Sequence, residues 1–127
     1  MKVIMKEECG VFAGVLFNKN NIIRQTIRAL SNIQHRGIQS CGVCVSFGGE
    51  KELVHKDKGH VCEVFSSISE KDIPGNLAIG HVRYSTLDGD LKLNAQPLKA
   101  KFKNDYLYGC NRSQGKTLAL KEKHGLI

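Results

Sequence analysis

No apolar run in this sequence approaches the roughly 20 residues that a membrane-spanning helix needs, which excludes such a helix. Residues 1–8 are charged and lack an apolar core, so they do not read as a secretory signal. Five cysteines, an odd number without a secretory leader, argue for reduced thiols and a cytoplasmic setting over a disulfide framework. No second cysteine pair accompanies Cys41-Gly42-Val43-Cys44, which sits in an apparent strand and does not open a helix. A zinc site or a redox motif of the usual kind is therefore not expected, and no metal ligand set is assigned. Aromatics make up only 6% of the chain, and few of them interleave with its lysines. The net charge of +7 lies mostly beyond Leu91, and without a nucleic-acid motif it reads as a solvated basic face. Neither nucleic acid nor a membrane is expected as a partner. There is no internal repeat, no low-complexity tract and no linker.

What is present suits one soluble domain or part of one. At 41% hydrophobic and 24% charged, the 127 residues can bury a core. Residues 10–17 alternate apolar and small residues on both sides, which predicts a strand buried on both faces. The polar break 18–21 can supply an N-cap. Ile23, Ile27, Leu30 and Ile33 then recur at helical spacing, with Arg24 and Arg28 off the stripe. Gly37 reads as the stop. Two strands are expected over 42–47 and 52–55, joined at Gly48-Gly49. A short helix is expected over 59–65 with Val61, Val64 and Phe65 inward. Pro74-Gly75 marks a turn, and 77–84 predicts a core strand built on Leu77 and Ile79. Residues 87–97 read as loop, 99–103 and 105–110 as a hairpin, and 117–123 as a helix. Hairpins without regular β-α-β spacing favour the α+β class.

Four clusters carry candidate chemistry: Cys9-Gly10, Gln34-His35-Arg36-Gly37, the run from His81 to Thr86, and Asn94-Ala95-Gln96-Pro97. If residues 1–8 are removed, Cys9 bears both a thiol and a free α-amine. Groups of these two kinds titrate at about 8.5 and about 7.7–8.0, so together they form a nucleophile with its own base. Gly10 would leave room for a substrate carbonyl. Arg83, ending an apolar strand, requires an anionic partner, and its fork suits a carboxylate. With the hydroxyls of Ser85 and Thr86 beside it, that strand end could hold the carboxylate and amine of an amino acid. A structural pairing of Arg83 with an acidic loop residue accounts for it equally well. Arg36 is explained by capping of the preceding helix.

Taken in order, Glu-Glu-Cys-Gly-Val-Phe at 7–12, Gln-His-Arg-Gly-x-Gln-Ser at 34–40, Gly-His-Val-Arg-Tyr-Ser-Thr at 80–86 and Asn-Ala-Gln-Pro at 94–97 resemble the amino-terminal glutaminase domain of the amidophosphoribosyltransferase family. The resemblance implies an α+β, N-terminal nucleophile hydrolase-type four-layer sandwich, with two antiparallel sheets between helix layers, here incomplete. It implies that residues 1–8 are a propeptide and 9–127 part of a class II glutamine amidotransferase domain. Freed Cys9 would attack the γ-carboxamide of glutamine with its α-amine as base. A γ-glutamyl thioester would form and ammonia would leave for phosphoribosylamine formation in purine biosynthesis. Arg83 would bind the glutamine α-carboxylate with Thr86 nearby, Arg36 would lie close to the nucleophile, and His81 and Tyr84 would shape the site. Full-length members are homo-oligomers that use Mg2+ with phosphoribosyl pyrophosphate, and some carry an iron–sulfur cluster. Those cofactors belong to segments this chain lacks, so none is expected here.

Two departures oppose that reading. The family closes its oxyanion hole with Asn-Gly, whose Asn side chain and Gly amide donate. This chain has Gly109 and Cys110 at those positions. The chain also stops at Ile127, before the family's ligand for the glutamine α-amine and before any phosphoribosyltransferase domain. The rival expectation is therefore a catalytically inactive, truncated remnant of the same family.

Overall fold

The computed structural model of the chain describes residues 9–17, 21–47, 52–68, 73–84 and 93–110. The expected helix over 117–123, the Gly48-Gly49 turn, Ser85 and Thr86 lie outside the described residues. The elements in chain order are β1 (Gly10–Val15), α1 (Ile22–Asn32), a 3-10 turn (Gln34–Arg36), β2 (Ser40–Ser46), β3 (Glu52–Lys58), α2 (Val61–Val64), β4 (Leu77–Arg83), β5 (Leu98–Phe102) and β6 (Asp105–Gly109). β1 to β4 form an antiparallel sheet in the order β1-β4-β2-β3, and β5 and β6 form an antiparallel hairpin. The class is α+β, with antiparallel sheets and few helices.

Register sorts the sheet into two faces, because directly opposed residues share a face and successive ones alternate. Gly10, Val82, Cys41 and Asp57 form one row, with Phe12, Gly80, Val43 and His55 the next row on the same side. The helices cover this face. Ile22, Ile23, Thr26 and Leu30 of α1 are buried, while Ile27 and Ile33 pack at the margin. A Cβ added at Gly80 would meet Thr26 and Leu30 at 2.9–3.1 Å, so the missing side chain lets α1 settle on β4. Val61 and Val64 of α2 and the following Phe65 complete the core, and His55 Nε2 donates to the Val64 carbonyl at 2.7 Å.

Several sequence-based expectations need correction. Among the described residues β1 lies at the edge of its sheet rather than buried on both sides, and Val11 is 57% and Val15 47% exposed. In β4 the helix-facing set is Ala78, Gly80 and Val82, whereas Leu77 is 50% exposed on the opposite face. The apolar signal of Leu77 and Ile79 lies on the other face because Ala78 and Gly80, on the helix side, carry so little of it. Asn21 stands at the N-cap of α1 but makes no side-chain cap; the Ile22 N–H instead donates to Gly75 O at 3.1 Å. α1 ends at Asn32, before Gly37, and the 3-10 turn intervenes. A Cβ at Gly10 would meet Ile33 and Val82 at 2.8–2.9 Å, so the space there is filled by core side chains and not held open for substrate.

Candidate active site

The second face of the sheet carries the candidate residues Cys9, His81 and Arg83. Cys9 precedes β1, whose first residue Gly10 is opposite Val82, so Cys9 extends that ladder to the level of Arg83. Ser40 is opposite Arg83, and Gly42 is opposite His81. Cys9, Arg83, Ser40, His81 and Gly42 therefore share one side, away from α1.

Cys9 is fixed by main-chain groups. Its Sγ lies 3.4 Å from both the N–H and the carbonyl oxygen of Tyr84. A thiol there donates to the carbonyl, while a thiolate accepts from the N–H. Arg36 Nε donates to the Cys9 carbonyl at 3.3 Å. That contact replaces the reading of Arg36 as a cap of α1: it belongs to the separate 3-10 turn, directed at the cysteine.

The turn is held by residues whose roles the sequence did not disclose. Gln34 Nε2 donates to Gly37 O at 2.6 Å, and Gln34 Oε1 accepts from the Val61 N–H at 2.7 Å, joining the turn to the start of α2. The Gln39 N–H donates to Arg83 O at 3.1 Å. Gly37 lies so close to β4 that an added Cβ would stand 2.5 Å from the Arg83 carbonyl carbon. The only hint in the sequence was the adjacency of Gln34, Arg36 and Gly37. Their division of labour emerges only when β4 lies beside them.

Arg83 is 3% exposed. Burial pulls its guanidinium below the usual arginine range, and the nearby Cys9 thiolate works in the other direction. His81 is 0% exposed, and burial together with the Arg83 charge lowers it to about 4, so the imidazole is neutral at physiological pH. Above this row, residues 94–97 close over β2. A Cβ at Gly42 would stand 2.3 Å from Gln96 O, and Lys56 Nζ donates to Pro97 O at 2.9 Å. Glu52 accepts from Lys99 at 3.1 Å and from the Tyr108 hydroxyl, which ties the β5–β6 hairpin to β3.

Gly109 ends β6, and Cys110 follows it within electrostatic reach of Cys9. Burial, then the Cys44 and Cys9 charges, pushes the Cys110 thiol up to about 12, with Lys56 opposing. It is therefore a neutral thiol at physiological pH. Cys41 and Cys44 fall on opposite faces of β2, so the pair cannot clasp one metal ion. Among the described residues no group of three or more His, Cys, Asp or Glu could hold a metal. Nor is any helix among them long and apolar enough to cross a membrane. The structure thus brings Cys9, Arg36, Arg83 and Cys110 to one region; Thr86 lies outside the described residues.

No protein-family model matches the chain. Among curated proteins it is similar to the amidophosphoribosyltransferase of Synechococcus elongatus, 40% identical over 92 residues, covering 72% of this chain and 18% of that protein. The amidophosphoribosyltransferase of Bacillus subtilis is 38% identical over 101 residues, covering 80% and 21%. That of Mycobacterium tuberculosis is 41% identical over 93 residues, covering 73% and 17%. Among solved structures, glutamine phosphoribosylpyrophosphate amidotransferase from B. subtilis, complexed with ADP and GMP, superposes with a TM-score of 0.67 at 31% identity over 92% of this chain and 25% of that one. A structure described as the allosteric regulatory enzyme of purine biosynthesis gives 0.67 at 28% identity, covering 92% and 26%. Fold and sequence together define a glutamine amidotransferase domain. Within that class the chain matches the amidophosphoribosyltransferase family, in the amino-terminal domain of those proteins. It spans about a fifth of the length of the curated relatives it matches.

Proposed function

We propose that this chain is a glutaminase whose nucleophile is Cys9. The observation that carries the reading is the Cys9 thiol held 3.4 Å from the Tyr84 N–H, with buried Arg83 next in the strand. Removal of residues 1–8 frees the Cys9 α-amine, which takes the thiol proton. Sulfur then attacks the γ-carboxamide carbon of a glutamine whose α-carboxylate lies on Arg83. The tetrahedral adduct collapses as the amine returns its proton to the departing nitrogen, giving a γ-glutamyl thioester and ammonia. Water hydrolyses the thioester to glutamate and restores the thiol. Arg36 holds the Cys9 main chain in place, and Thr86, outside the described residues, is assigned by the resemblance as a second substrate ligand. The chemistry asks for no metal or cofactor at Cys9. In a full-length relative the ammonia would pass to phosphoribosylamine formation in the cytoplasm, in a homo-oligomer.

A diazoketone analogue of glutamine tests this reading. Once residues 1–8 are removed, mass spectrometry is expected to find one adduct on Cys9, suppressed by glutamine and lost in Arg83→Met. A folded chain that leaves Cys9 unlabelled overturns it. A second reading, a member that keeps the fold without turnover, is favoured by one specific feature. Gly109 has no side chain to donate to an oxyanion, and loss of one such donor costs about 10²–10³ in rate. Adduct formation without measurable glutamate release would select that reading.

A further inference from the structure

Three of the five cysteines belong to one side of the sheet, and the proposed chemistry uses a single one of them. Cys9 lies at the level of Arg83, on the row that continues through Ser40 and Lys58. Cys44 lies two rows further along, opposite Ile79. Strands about 4.8 Å apart and a rise of about 3.3 Å per residue put the Cys9 and Cys44 main chains about 16 Å apart. A disulfide needs Cα atoms within about 7 Å, so these two cannot join directly. Cys41 faces the helices, and Cys62 is carried by α2 on that same side.

Cys110 stands between them. Gly109 is opposite Leu98, which sets Cys110 beside Pro97. Pro97 O accepts from Lys56 Nζ at 2.9 Å, and Gln96 O lies against Gly42. This stretch therefore covers the row of Lys56, Gly42 and His81, which separates the row of Cys9 from that of Cys44. The Cys110 thiol accordingly senses charge on both Cys44 and Cys9. Cys9 and Cys110 are half-buried and open to a small oxidant, whereas Cys44 is buried in β2 between two neighbouring strands.

The environments of Cys9 and Cys110 differ in a way that suits sequential oxidation. The Cys9 sulfur has the Tyr84 N–H at 3.4 Å and the Arg83 charge nearby, both of which partner an anionic sulfur. Thiolate is the form that peroxides oxidise. Cys110, whose burial and neighbouring cysteines hold its proton in place, is spared that first step.

We propose that Cys9 and Cys110 are a peroxide-sensitive pair, in which Cys9 is oxidised first and Cys110 resolves it to a reversible disulfide. The Cys9 sulfur attacks one oxygen of hydrogen peroxide, the O–O bond breaks, and Cys9 sulfenic acid and water form. The Cys110 sulfur then attacks the Cys9 sulfur. The S–S bond forms, the S–O bond breaks, and the hydroxyl leaves with the Cys110 proton as water. The two thiols give up two electrons and two protons, and one peroxide becomes two waters. A dithiol reverses the link. The pair thus halts oxidation of Cys9 before the irreversible sulfinic acid, and while closed it withdraws Cys9 from other chemistry. None of this requires glutamine turnover, so the inference stands apart from the proposed function.

The test uses the full chain, reduced and then treated with dilute hydrogen peroxide. Remaining thiols are alkylated, and intact and peptide masses are read without reductant. The expected product is a monomer lighter by two hydrogens before alkylation, with Cys9 joined to Cys110 while Cys41, Cys44 and Cys62 alkylate. Dithiothreitol should restore all five thiols. In Cys110→Ser the link should vanish, and Cys9 should gain two oxygens that dithiothreitol does not remove. The unsubstituted chain alone can overturn the proposal. Cys9 left as a thiol, Cys9 carried to sulfinic acid without the link, a link through Cys44, or a link between two chains would each do so. A Cys110→Ser chain whose Cys9 oxidation stays fully reversible overturns it as well.

Discussion

Replacing Gly109 with Asn and Cys110 with Gly should raise glutamate release by about 10²–10³, equivalent to about 2.7–4 kcal/mol of transition-state stabilisation. The structure makes this substitution a clean one. A Cβ built on Gly109 meets nothing within 4 Å, so the Asn side chain enters open space. The positive-φ glycines among the described residues are Gly59 and Gly75, so Gly109 adopts a backbone that an ordinary residue accepts. Electrostatic coupling between Cys110 and Cys9 places this segment near Cys9. The assay is single-turnover and steady-state glutamate release by chain freed of residues 1–8, at saturating glutamine. Gly109→Ala supplies the control: it adds the Cβ without the donor and should leave both stability and rate nearly unchanged. A folded double variant that labels on Cys9 and shows no gain over Gly109→Ala would refute the oxyanion argument. The defect would then lie elsewhere in the site.

Three further perturbations follow from the packing. Gly37→Ala drives a methyl to 2.5 Å from the Arg83 carbonyl carbon and 2.7 Å from Arg83 N. Main chain cannot yield cheaply there, so a loss of about 1–3 kcal/mol is expected in urea titration, together with slower Cys9 labelling as Arg36 moves off the cysteine carbonyl. Leu30→Ala, a fully buried residue against Gly80, should cost about 2–5 kcal/mol by the same titration without changing the labelling pattern of the folded fraction. His81 gives a pH signature. Its folded value of about 4 lies below the ordinary imidazole value of 6.5, so the unfolded chain binds the extra proton and stability falls as pH drops through that window. The full effect is about 3 kcal/mol, level above pH 7 and exhausted below pH 4, and His81→Phe should flatten it. A stability profile of the same slope in that variant would show that other groups carry the dependence.

The candidate residues are easier to read from sequence than the sheet that arranges them. Cys9, Arg36 and Arg83 stand out through the motifs that contain them, since residue by residue a structural ion pair accounts for Arg83 equally well and helix capping for Arg36. The face that each strand buries was harder. In β4 the buried positions are Ala78, Gly80 and Val82, and two of those three have too little side chain to announce a core. Gly80 is small because Leu30 and Thr26 occupy its space, which depends on a helix some fifty residues earlier. Likewise β1 reads as two-sided because Val11, Ala13 and Val15 are as apolar as Phe12 and Leu16, yet only the latter pack on the core. Periodicity gives two possible faces, and only pairing with β4 decides between them.

The same dependence on pairing explains why Ser40 carries no functional signal of its own in the sequence. A serine beginning a strand is ordinary in sequence, and its position opposite Arg83 is set by the β2–β4 register alone. Shifting that register by one residue would carry Ser40 and Gly42 to the helix face and bring Cys41 beside Arg83. Three close approaches oppose such a slip. Gly37 lies against the Arg83 main chain, Gly42 against Gln96 O, and Gly75 would meet Val45 at 2.3 Å if it carried a Cβ. Each requires a glycine, or the residue it faces, at one defined level of the sheet. The glycines thus hold the geometry that the polar residues use. Substitutions at Gly37 and Gly42 should therefore disturb Cys9 and Arg83 together, whereas substitutions at Arg83 should alter binding and leave the register intact.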